Sequence, residues 1–186
     1  MNETDIAFLN NLADPRAPFV DIVRAIYRAN RLICESARDA LTAQLDDIQD
    51  ALNVPGPLVP QNLRLQIWPK ADAPNPWDYD RCKAGAVVWL PNPVDTKLRL
   101  FVEFGDQNYI VVGLEFINPT RRNRWVEQFP ERPGLIEEEW EAEFIGYTLV
   151  MRRQLDGFAT LDGELTGLLT ECLSEIRRVR VLNPPQ

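Results

Sequence analysis

The apolar residues of this chain change their period once, and that change limits the folds open to it. From Phe19 onward, Ile22, Val23, Ile26, Ile33, Ala37, Leu41, Leu45, Ile48 and Leu52 recur at helical spacing. Pro18 suits a first turn, and "NVPGP" at 53–57 closes the stretch, since proline removes a backbone donor and glycine lets the chain turn. One unbroken helix of that span would be about 50 Å long, more than a domain of this size needs. The expectation is a break near Asn30 or Ser36, or a far end that packs on a partner. Glu35, Arg38, Asp39, Asp46 and Asp47 would form the wet face.

After that stretch the period becomes two. Leu63, Leu65 and Ile67 alternate with Arg64, Gln66 and Trp68, the pattern of a half-buried strand. "AVVWL" at 86–90 is apolar on both faces and reads as a central strand. "KLRLFVEFGDQNYIVVGLEF" at 97–116 holds two alternating runs around "GDQN", where Gly105 and Asn108 tolerate positive φ, and so predicts an antiparallel hairpin. Residues 141–152 form a further strand candidate, in which Phe144, Thr148 and Val150 alternate with Ile145, Tyr147, Leu149 and Met151. Helical spacing returns at Leu161, Leu165, Leu168, Leu169, Cys172, Leu173 and Ile176, with acids at the start and Arg177, Arg178 and Arg180 at the end, matching the helix dipole.

This order of helix, strands and helix implies an α+β fold. The expected architecture is an antiparallel sheet of four to five strands, covered on one face by a long N-terminal helix and a C-terminal helix. All 186 residues read as a single domain, with a polar lead-in at 1–16 and a loose tail at 183–186. The opposite sheet face would carry Arg64, Trp68, Arg99, Phe101, Glu103, Tyr109 and Glu115, a mixture of rings and charges that suits a binding surface.

Composition removes several chemistries. With no histidine, the chain lacks the commonest general base, the usual zinc nitrogen and every Ser-His or Cys-His pair. Cys34, Cys82 and Cys172 stand far apart without a CxxC pair, so neither a zinc site nor a disulfide framework is expected. Cys34 and Cys172 fall on apolar helix faces; Cys82, between Arg81 and Lys83, is the one thiol whose setting favours the thiolate. Neither GxxxxGK[ST] nor GxGxxG occurs, and no cofactor is expected. The net charge of −8 disfavours nucleic acid and anionic membrane, though an acidic surface also allows mimicry of DNA. No apolar run approaches the roughly 20 residues of a membrane span, and the acidic start lacks a signal-peptide pattern, so a cytoplasmic protein is expected.

Two chemistries keep a footing. Asp106 followed by Glu115 resembles in part the PD-(D/E)XK metal-dependent nucleases, in which strand acids collect Mg²⁺ and a lysine two residues on assists. That resemblance covers some twenty residues, and Ile117 stands where the lysine belongs. It implies a metal-dependent phosphodiesterase or nuclease using Glu103, Asp106 and Glu115, and it is the runner-up. The leading expectation is a non-enzymatic protein-binding module of the inhibitor, immunity-factor or adaptor kind. Its contact residues would be Trp77 and Tyr79 in the proline-rich loop, Arg121, Arg122, Arg124 and Trp125 in "RRNRW", and Arg99, Phe101 and Tyr109 on the sheet. Basic and acidic stretches adjoin after Trp125, which suits a protein partner better than sliding on DNA. The long first helix also makes a homodimer reasonable.

Overall fold

The structure, a computed structural model, describes residues 19–68, 82–91, 96–104, 107–116, 120, 140–145 and 148–182, with the side chains at 19–23, 68, 82, 116, 140–145, 148–150 and 179–182 outside that set. The first elements described are helices α1 (Phe19–Ala43) and α2 (Leu45–Ala51). Six strands follow: β1 (Leu63–Trp68), β2 (Cys82–Leu90), β3 (Thr96–Phe104), β4 (Tyr109–Phe116), β5 (Trp140–Ile145) and β6 (Thr148–Gln154). Helix α3 (Leu161–Leu182) closes the fold. Every strand pair is antiparallel, in the order β1-β2-β3-β4-β6-β5. The α+β class and the two covering helices are as the residue periods imply.

Three details differ from the expectation. The first long stretch breaks at Gln44, not at Asn30 or Ser36. The cause is a buried polar side chain: Gln44 Nε2 donates to the Thr166 carbonyl of α3 at 3.1 Å, and its Oε1 accepts from the Thr170 hydroxyl at 3.3 Å. These bonds tie the break to the neighbouring helix, and Gln44 N reaches back only to the Leu41 carbonyl, a tighter turn than α. Next, the stretch expected as one strand over 141–152 forms two, β5 and β6, so the described residues supply six strands in place of the expected four to five. Last, β2 begins at Cys82, four residues before the "AVVWL" run that reads from sequence as a strand.

"NVPGP" does stop the helix, and does so by a defined cap. Asn53 takes a left-handed φ of 51°, its amide bonds the Asp50 carbonyl and the Val54 amide bonds the Gln49 carbonyl. This is the Schellman arrangement, with asparagine in the place usually held by glycine. The Gln49 side chain then accepts the Leu58 amide, fixing the path toward β1.

The core lies between the helices and one sheet face. Ile33, Ala37, Leu41 and Ile48 from α1 and α2, and Leu161, Leu165, Leu168, Leu169 and Leu173 from α3, meet Ala86, Val88, Leu98, Leu100, Val102, Ile110, Val112 and Leu114. Each fully buried leucine or isoleucine contributes roughly 1.5–3 kcal/mol relative to exposure. Arg153, on the helix side of β6, bonds Glu164 at 3.2 Å and Glu171 at 3.1 Å, pinning α3 across the sheet. Arg177 bridges α3 to Asp47 and Asp50 of α2.

Candidate interaction surface

The sheet face away from the helices is not the wet platform the alternation suggests. Its charges neutralise one another across strands. Lys83 lies opposite Glu103 and pairs with it at 3.5 Å, and Lys97 lies opposite Glu115 at the same distance. Arg99 pairs diagonally with Glu115. Three cations also rest on rings: Lys97 on Trp89 at 4.3 Å, Lys83 on Phe101 at 5.0 Å and Arg152 on Tyr109 at 5.2 Å. Between these pairs the face is dry, with Val87, Phe101 and Val111 all buried.

That geometry bears on each sequence candidate. Phe101, beneath Lys83, keeps only 7% of its surface. The Arg99 guanidinium is engaged by Glu115, and the Tyr109 hydroxyl donates to Gln107 at 2.8 Å. Trp77, Tyr79, Arg121, Arg122, Arg124 and Trp125 lie outside the described residues, as does Asp106. Glu103 opposes Tyr109, while Glu115 opposes Lys97 at the other end of the same hairpin. Six residues of strand separate them, about 20 Å, whereas ligands of one Mg²⁺ stand about 2 Å from the ion. Glu103 and Glu115 therefore cannot share a metal ion. Among the described residues no group of three acids or cysteines has metal-binding geometry.

Both described thiols are buried. Burial pushes the Cys172 thiol up to about 12, with a smaller push from Glu175, and it raises the Cys34 thiol as well. Cys34 Sγ donates to the Gln66 carbonyl at 3.5 Å, which places the middle of α1 over β1.

Exposed apolar surface gathers instead at one border of the sheet. β1 pairs with β2 alone among the described strands and so forms an edge. Leu65 and Ile67, on its helix side, stay 46% and 39% exposed. Val59 just ahead of the strand is exposed too, whereas Trp89 of β2, 44% exposed, lies on the opposite sheet face beneath Lys97. Tyr27, 70% exposed, lies two turns before Cys34 on the helix stripe that touches β1, with exposed Ile26 beside it. The edge carries one charge, Arg64, and no lysine or proline. Natural edges usually blunt their unpaired N–H and C=O groups with such residues, and β1 does not. Gln66 adds a buried side-chain oxygen, Oε1, without a hydrogen-bond partner.

No protein-family model, no curated protein and no solved structure matches the chain. No described helix is long and apolar enough to cross a membrane.

Proposed function

We propose that the chain is a protein-binding module whose docking element is the β1 edge with the apolar residues around it. One observation carries the reading: among the described residues, Leu65 and Ile67 stay exposed on an edge strand that carries no lysine or proline, with exposed Val59 just ahead of them. A strand laid against β1 would satisfy its outward backbone groups, and alternate side chains would meet Leu65 and Ile67 on one face and Arg64 on the other. Tyr27, large and 70% exposed, is the kind of anchor that such interfaces favour.

The test is capture on tagged chain from nuclease-treated native lysate, with untagged chain also present. The expected result is one stoichiometric protein, lost when Ile67→Arg places a charge in the border. Ile67 is already part-exposed, so the variant should keep its melting temperature. Equal capture by wild type and Ile67→Arg would refute the assignment.

A further inference from the structure

We propose that the strand which covers the β1 edge is β1 of a second copy of this chain, in an antiparallel ladder centred on Leu65. The inference rests on the reading of that edge as a docking site and names its occupant.

The alternation of β1 decides which pairings are allowed. Leu63, Leu65 and Ile67 share the helix side, while Arg64 and Gln66 share the other. Residues directly opposite in an antiparallel ladder point to the same face. If one sheet is to continue through both copies with both helix layers on one side, odd positions must meet odd positions. A two-fold axis through Leu65 does this. It sets Leu65 against Leu65 of the second copy, Leu63 against Ile67, and Arg64 against Gln66.

That register is self-complementary in three respects. All three helix-side positions pair apolar with apolar, so the exposed Leu65 and Ile67 are both covered. The only charge on the strand avoids its own copy. It meets Gln66, whose side-chain amide can accept from a guanidinium. Arg64 has donors to spare, since its hydrogen bonds to the Gln61 and Leu63 carbonyls both come from Nη1. An axis through Gln66 is also allowed by the alternation, but it leaves Leu63 unpaired and carries Arg64 away from that acceptor.

The full chain at about 100 µM, a concentration where weak edge pairing registers as mass, is measured by size exclusion with light scattering. The expected mass is twice the chain's 21.3 kDa, falling to 21.3 kDa in Ile67→Arg and in Leu65→Glu. Leu65→Cys, in a Cys82→Ser background, should form a disulfide-linked dimer under mild oxidation, because only position 65 faces its own copy. Ile67→Cys should not. A monomer at that concentration overturns the inference, as does a wild-type dimer in which Leu65→Cys fails to link. The capture experiment then separates the two ideas. A monomeric chain that still loses another protein on Ile67→Arg keeps the docking edge and loses only the second copy. No effect of Ile67→Arg on either readout removes both.

Discussion

Gly85 leaves no room for a side chain in the sheet. It lies opposite Phe101 across the β2–β3 ladder, and those strands are held by nine register pairs. A Cβ built on Gly85 would stand 2.5 Å from both Cα and Cβ of Phe101, and would also collide with the Leu100 carbonyl oxygen. Real Cβ atoms almost never approach below 3.0 Å, so Gly85→Ala needs at least half an ångström from backbone rather than from a flexible side-chain tip. Overpacking of this kind costs about 1–3 kcal/mol. Lower entropy of the unfolded chain returns about 0.4–1 kcal/mol, leaving a net loss of up to about 2.6 kcal/mol. For a chain of this length each kcal/mol moves Tm by about 2–4 °C, so a fall of up to about 10 °C is expected. Gly167, inside α3, is the control: nothing lies within 4 Å of the Cβ it would gain. Gly167→Ala should raise stability by about 0.5–1 kcal/mol, through helix propensity alone. Thermal melts by circular dichroism read both. A Gly85→Ala protein that melts at or above wild type would refute the packing argument.

The two arginine clamps should differ in urea unfolding. Arg153→Met, at a side chain only 18% exposed and shared by two glutamates, should cost about 1–3 kcal/mol, whereas Arg177→Ala, in an exposed cluster, should cost under about 1 kcal/mol. Cys172 makes stability fall at high pH: its folded thiol sits near 12 against 9.0 unfolded, so its contribution is full below pH 9 and declines as pH rises toward 12. Urea midpoints at pH 8 and pH 10 should therefore fall less in Cys172→Ala than in wild type, by up to about 1.4 kcal/mol per pH unit. Millimolar Mg²⁺ or Mn²⁺ should shift the Tm of wild type and Glu115→Gln equally; a shift lost only in Glu115→Gln would restore the carboxylates to a metal role.

Periodicity made the helices, most strands and the core legible. Every apolar position read from the C-terminal stretch, Leu161 through Ile176, is buried against the sheet. What it could not provide was pairing. Glu103 and Glu115 look close in sequence, but the hairpin register puts them at opposite ends of the sheet, each against a lysine. Leu65 and Ile67 show the same limit. Their alternation marks a buried face, yet half their exposure survives because β1 lies at the border, and strand order is not written in alternation. The lack of lysine and proline in "LRLQIW" was the available hint. Gln44 was hidden for another reason: a glutamine within a helical pattern looks like surface, and only its bonds to Thr166 and Thr170, more than 120 residues away, make it a break.

Hydrogen–deuterium exchange over residues 63–68 addresses the docking edge most directly. It would be followed in the isolated chain from about 1 to 100 µM, and in the complex recovered from lysate. Outward β1 amides that gain protection as the complex forms, with Ile67→Arg abolishing the gain, are the predicted result. Protection that arises elsewhere while 63–68 exchanges at an unchanged rate would contradict the account.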